Sequence, residues 1–179
     1  MVPEGRAGQH GRVSATDPTT SPTPPTSNPT PWLALLGFLV AVGVAAGLGG
    51  LAASSAGSTY DALEQPAFAP PAWVFGPVWT VLYVMIAVAG WLVWRRVGWD
   101  RSLTAWAVQL VLNAAWTPLF FGADRYGLAL VEIVVLLVAV AVTLALFWTR
   151  RRVAALLMAP YAAWVGFATA LNAAIWHLN

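Results

Sequence analysis

The chain of 179 residues carries 9% charged side chains against 59% hydrophobic ones, far below the roughly 25% charge of a soluble domain, so its composition is that of a membrane protein. A net charge of +2, with nine basic residues that are all arginine, is too small and too dispersed to address nucleic acid. With no cysteine, and with His10 and His177 far apart, there is no disulfide, no thiolate metal site and no recognisable metal cluster.

Residues 1–31 are rich in Pro, Ser and Thr, and Thr16 to Pro31 holds little else. So little apolar surface cannot form a core, and a disordered tail on the cytoplasmic side, able to serve partners as an extended segment, is expected. Residues 32–179 form the membrane domain. Its five apolar stretches run over about 32–53, 73–94, 102–122, 126–148 and 153–177, each near the ~20 residues that carry a helix across ~30 Å of hydrocarbon. Strand alternation is absent and closed backbone hydrogen bonding is required in lipid, so the expected fold is all-α, an integral membrane bundle of five transmembrane helices. The first stretch is long enough to span and is read as a helix rather than a removed leader, although Ala52-Ala53-Ser54 is small. Within it Gly43 and Gly47 make a GxxxG, read as packing inside the bundle ahead of a homodimer face.

The first connection, about 54–72, is longer than the usual ~4–6 residues and contains Pro66, Pro70 and Pro71. Prolines fix the backbone without needing amide partners, so an ordered lid over Tyr60 to Pro71 is expected. The other connections are short, which makes consecutive helices antiparallel neighbours. Arginines fall in the tail (Arg6, Arg12), the second connection (Arg95, Arg96, Arg101) and the fourth (Arg150, Arg151, Arg152), while the opposite side carries only Arg125. The positive-inside rule then places the N-terminus in the cytoplasm and the C-terminus outside, in a multi-pass protein of the cell membrane.

Three helices carry an aromatic-polar stripe at helical spacing. They are Phe75, Trp79, Tyr83 and Ile86 on the second, Gln109, Asn113, Trp116 and Phe120 on the third, and Tyr161, Val165, Ala168, Asn172 and Trp176 on the fifth, with Trp164 at its edge. At ~1.5 Å per residue, Trp79, Trp116, Asn172 and Glu132 lie roughly 9 Å below the outer surface, with Asn113 a little deeper. An aromatic cavity with a few polar groups, closed by the lid, is the build of a site for a flat apolar ligand. Each element also has a plainer reading. The two asparagines can simply join helices; Trp32, Trp73, Trp91, Trp94, Trp99, Trp106, Trp148 and Trp176 suit interfacial belts; Trp79, Trp116 and Trp164 can be core. Glu132, the one acid within a span, is open between a packing role, with water or Arg125 as partner, and a ligand-related one.

Tyr60-Asp61-Ala62-Leu63-Glu64-Gln65-Pro66, Pro70-Pro71-Ala72-Trp73, Pro77-Val78-Trp79-Thr80-Val81-Leu82-Tyr83, Gln109-Leu110-Val111-Leu112-Asn113 and Trp116-Thr117-Pro118-Leu119-Phe120-Phe121-Gly122 together resemble the TspO/MBR family of translocator and tryptophan-rich sensory proteins. Pro160-Tyr161-Ala162-Ala163-Trp164 and Phe167 to Asn172 resemble the family's last helix. The resemblance, from about residue 33 onward, implies a five-helix bundle, often dimeric, that binds porphyrins such as protoporphyrin IX and, in eukaryotic relatives, cholesterol and drug-like ligands. It implies no obligatory cofactor, porphyrin being a ligand. Matching pocket positions are Tyr60 and Pro71 in the lid and Trp79, Asn113, Trp116, Phe120, Trp164, Ala168 and Asn172 in the helices; the second-helix stripe adds Phe75 and Tyr83. Two lid positions depart from the family pattern, with Gln65 where lysine is common and Phe68 where tryptophan is. The end of the chain lacks the Tyr and Arg of the proposed cholesterol segment, which argues against sterol binding there.

Three functions follow as expectations. The first is a membrane tetrapyrrole-binding sensor or transporter. The second, implied by the resemblance since the activity is claimed for some relatives, is a protein that degrades porphyrin in light through radicals on Trp79 and Trp164; the lack of a nucleophile-base pair or nucleotide motif argues only against ordinary hydrolysis or transfer. The third is a helical interaction scaffold without a specific small ligand.

Overall fold

The computed structural model describes residues 31–52 and 56–179; of the tail expected over residues 1–31, residues 1–30 lie outside them and Pro31 is the first residue of the first helix. Six α-helices are present, α1 (Pro31–Ala52), α2 (Ala56–Ala62), α3 (Phe75–Val97), α4 (Arg101–Thr117), α5 (Tyr126–Arg150) and α6 (Arg152–Leu178), and no strand occurs among the described residues. Five of the six, all but α2, are long and apolar enough to cross a membrane, α3 and α4 being extended by the turns at Ala72–Val74 and Pro118–Gly122. This is the all-α bundle expected from composition.

Local chemistry explains where the helices stop. Asp100 caps α4, its carboxylate accepting from the Ser102 amide at 3.0 Å, the Leu103 amide at 3.4 Å and the Ser102 hydroxyl, which satisfies donors that the first turn leaves open. Gly98 ends α3 with φ 69°, a left-handed turn that suits glycine, and its amide returns to the Trp94 carbonyl at 2.8 Å. Between α5 and α6 stands only the extended Arg151 (φ −156°, ψ 105°). Arg150 of this corner meets Asp100 at 3.0 Å, joining the two arginine-rich connections at one end of the bundle. At the other end of α4, Pro118 has no amide to continue the ladder, and the chain widens into a π-helical turn over Pro118–Gly122.

The long helices form a ring in the order α1, α4, α5, α6, α3, closed by contact between α3 and α1. The expectation that consecutive helices are neighbours is qualified at one point: α3 and α4 are not adjacent in the ring, since α1 packs against both, yet they still meet through side chains, Trp106 donating to the Ile86 carbonyl at 3.0 Å. Small residues at close approaches, Ala87 and Ala89 on α3 and Ala154 and Ala155 on α6, are fully buried, as dispersion-driven packing in lipid favours. Val81, Val111, Val131 and Leu156 point outward, toward acyl chains.

Two further expectations are corrected. The first connection is not loop throughout, for α2 occupies Ala56–Ala62 before the chain turns at Pro66 and reaches a 3₁₀ turn at Ala72–Val74. Gly43 and Gly47 do not pack inside the bundle: both are exposed, and no neighbouring atom lies within 4 Å of where a Cβ would stand. The glycine of α1 that does meet another helix is Gly49, whose Cβ position is 3.4 Å from the Thr117 hydroxyl oxygen.

Candidate functional site

A half-open cavity of ≈ 250 Å³ lies at the end of the bundle away from the arginines. Tyr60 comes from α2, Phe75, Trp79 and Tyr83 from one face of α3, and Trp116 from α4. Ala46, Gly49 and Gly50 of α1 complete the wall, with Thr117 and Phe121 beside Trp116. Among the described residues, no charged side chain lines it.

The roof is fastened by hydrogen bonds. Tyr60, 3% exposed, donates from its hydroxyl to the Pro70 carbonyl at 3.1 Å, and Gln65 donates from Nε2 to the Tyr60 carbonyl at 2.6 Å. Burial first, and the neighbouring Asp61 carboxylate second, raise the Tyr60 phenol above its ordinary value of 10.0, so it stays a donor at neutral pH. Phe68 docks edge-on against Phe167 of α6, with ring centroids 6.3 Å apart. Asn179 holds the lid from below: its Oδ1 accepts from the Glu64 amide at 3.0 Å while its Nδ2 donates to the Glu64 carbonyl at 3.1 Å.

The aromatic wall is oriented by buried polar groups behind it. Trp79 stacks on Tyr83 at 5.2 Å, and the Tyr83 hydroxyl donates to Asn113 Oδ1 at 2.9 Å. Asn113 Nδ2 donates to the Tyr161 hydroxyl at 3.2 Å, which donates to Gln109 Oε1 at 2.9 Å. Trp116 donates from Nε1 to Asn172 Oδ1 at 3.1 Å, and Asn172 Nδ2 donates to the Tyr126 carbonyl at 3.0 Å. Asn113 and Asn172, 4% and 1% exposed, thus join helices and fix the two rings that face the cavity.

Of the residues expected to form the site, Tyr60, Phe75, Trp79, Tyr83 and Trp116 meet in the main cavity. Asn113, Trp164 and Ala168 line a ≈ 20 Å³ cavity on the far side of Phe75, Trp79 and Trp116, and Phe120, Asn172 and again Ala168 line another of the same size. Trp164 contacts Phe75 edge-on at 5.9 Å, and its buried indole Nε1 has no hydrogen-bond partner among the described residues. Pro71 lines none of the three; it stands before the 3₁₀ turn, where its carbonyl accepts from the Val74 amide at 3.0 Å. Glu132 makes no ion pair with Arg125 among the described residues, and both its carboxyl oxygens are buried and unpartnered. Sequence reasoning missed the α1 wall. Its signal was Gly49 and Gly50 at the outer end of the first span, where small side chains leave room beside Thr117.

A family model described as the TspO/MBR family matches residues 35–177. The chain is 36% identical over 155 residues to the translocator protein of Homo sapiens, covering 83% of this chain and 92% of that one. It is 40% identical over 129 residues to the tryptophan-rich protein TspO of Archaeoglobus fulgidus (71% and 84%), and 37% identical over 148 residues to the tryptophan-rich sensory protein of Cereibacter sphaeroides (83% and 92%).

Proposed function

Given that the chain belongs to the TspO/MBR family, we propose that its outer cavity binds a flat, largely apolar tetrapyrrole of the protoporphyrin IX kind, and that the protein works as a membrane sensor or transporter of that ligand. The observation that carries this reading is the uncharged wall of Phe75, Trp79, Tyr83 and Trp116 beneath a fastened lid. Aromatic faces attract a planar ring system through burial and offset stacking, and relatives named translocator and sensory proteins support the two modes of action.

The cavity, at ≈ 250 Å³, falls a little below the roughly 300–1,000 Å³ of sites that bury drug-sized ligands. A tetrapyrrole therefore enters edge first and leaves part of its perimeter outside. With no charge on the wall, carboxylates of the ligand stay at the membrane surface, where ionised groups are cheap. Gln65, bonded to the Tyr60 carbonyl, supplies no cation to hold them. The positive-inside rule puts the arginine-rich end in the cytoplasm and the cavity on the outer side, and the exposed Gly43 and Gly47 face of α1 suits a homodimer contact.

The test is a titration of protoporphyrin IX in darkness into the purified full chain, wild type against Trp79→Leu. Saturable binding weakened at least tenfold by the substitution is expected. Equal, non-saturating uptake by both proteins is partitioning into detergent and rejects the site.

A further inference from the structure

A groove larger than the ligand cavity, ≈ 590 Å³, runs along the arginine-bearing half of the bundle between the first halves of α1 and α4. Its shape follows from side-chain size. Gly37 on one side has no atom within 4 Å of its Cβ position, and Ala107 faces it from the other. The floor is Phe38 set edge-on to Trp106, centroids 5.0 Å apart. Both rings sink inward because Gly90 behind them has no side chain; a Cβ there would stand 2.9 Å from each.

Length and charge identify the occupant. The α1 wall extends from Leu33 to Ala41, about 12 Å of helix, which is close to one leaflet of a ~30 Å hydrocarbon layer. The groove then stops near mid-membrane, whereas a helix from a second copy of the chain would need a channel of full membrane depth. Among the described residues no charged one lines it, and Trp94 and Trp99 stand at its arginine-bearing end, where indoles favour the glycerol level. Arg101, exposed at the start of α4, follows Trp99 by two residues and so stands at this same end, beside the groove rather than in its wall. The neighbouring acid does not neutralise it, for Asp100 is paired with Arg150 at 3.0 Å.

We propose that this groove binds an acyl chain of an anionic phospholipid from the leaflet at the arginine-bearing end, with the lipid phosphate held by Arg101. The chain replaces mobile lipid contacts with a fitted apolar wall, and the guanidinium adds a charge-assisted contact that a zwitterionic lipid matches less well.

The experiment is native mass spectrometry of the full chain in detergent with equimolar dioleoyl-phosphatidylglycerol and dioleoyl-phosphatidylcholine. Wild type is compared with Arg101→Gln, Ala107→Phe and Gly37→Leu, with thermal unfolding confirming that each variant is folded. Wild type is expected to retain phosphatidylglycerol about fivefold over phosphatidylcholine, the factor for one arginine near a membrane surface. Arg101→Gln should erase the preference while keeping adducts, and whichever filling variant folds should reduce adducts of both lipids. An unchanged lipid ratio in Arg101→Gln, or undiminished adducts in the filling variants, overturns the proposal. Loss of a dimer by a filling variant that keeps its lipid adducts also overturns it and makes the groove an interface between copies.

Discussion

Replacing Asn113 with Leu tests whether the polar relay behind the cavity orients its wall. In the native protein the Asn113 amide accepts from Tyr83 at 2.9 Å and donates to Tyr161 at 3.2 Å. Leu keeps most of the volume and removes both bonds. Each such bond contributes about 0.5–1.5 kcal/mol net, and interhelical bonds within membranes average nearer ~0.6 kcal/mol. The penalty for stranded partners can reach about 1–3 kcal/mol, but it is blunted at both ends. Tyr83 lines the cavity and can turn its hydroxyl there, and Tyr161 keeps its bond to Gln109. We therefore expect a loss of about 1 kcal/mol, read as a fall of about 2–4 °C in the unfolding midpoint. Tyr83→Phe should then cost clearly less in the Asn113→Leu background than in wild type, because the shared bond is already gone. Thermal unfolding of the four proteins of this cycle, followed by tryptophan emission in one detergent, gives both numbers. Additive effects of the two substitutions would refute the relay.

Asp100→Ala removes the α4 cap and the Arg150 pair, so a loss of about 0.5–2 kcal/mol is expected from chemical or thermal unfolding. Although burial works against it, hydrogen bonds from Ser102 and Leu103 and the Arg150 charge hold the Asp100 carboxyl below its ordinary 3.8. That contribution is therefore complete above the ordinary value and disappears as pH falls through the lowered one; unfolding midpoints in acid should converge for wild type and Asp100→Ala. Asn179→Ala unfastens Glu64, and stopped-flow fluorescence should show porphyrin entering and leaving several-fold faster with little change in affinity, whereas unchanged rates would exclude a latch. Gly90→Ala forces its Cβ to within 2.9 Å of the Phe38 and Trp106 rings, and the overpacking should lower stability by about 1–3 kcal/mol; a neutral result would mean that both rings relax without cost.

Much of this architecture is legible because lipid leaves few options. Long apolar runs must be helices, and the stripes through Trp79 and Tyr83, Asn113 and Trp116, and Tyr161 and Asn172 point inward since an amide or phenol facing lipid would be unpaired. What stayed hidden depends on α1. That helix is apolar all round, so periodicity cannot say which side faces its neighbours; its place between α3 and α4 in the ring, its Gly49 and Gly50 wall on the cavity and its outward Gly43 and Gly47 all follow from tertiary packing. The helix over Ala56–Ala62 was equally hidden, being a short polar segment whose Tyr60 is buried only once α3 supplies Phe75, 5.3 Å away. The division of the expected pocket into one open cavity and two small ones is set by how Phe75, Trp79 and Trp116 rotate, which spacing along a helix does not reveal.

The most direct test of the account is to fill the cavity from the one wall that carries no aromatic residue. Ala46 of α1 borders the cavity, and Ala46→Phe leaves every tryptophan and every hydrogen bond described above in place. Titrated in darkness with protoporphyrin IX, this variant should bind at least tenfold more weakly than wild type, a difference of about 1.4 kcal/mol, while unfolding at a similar temperature. Wild-type affinity in a folded Ala46→Phe protein would contradict the claim that the ligand occupies this cavity.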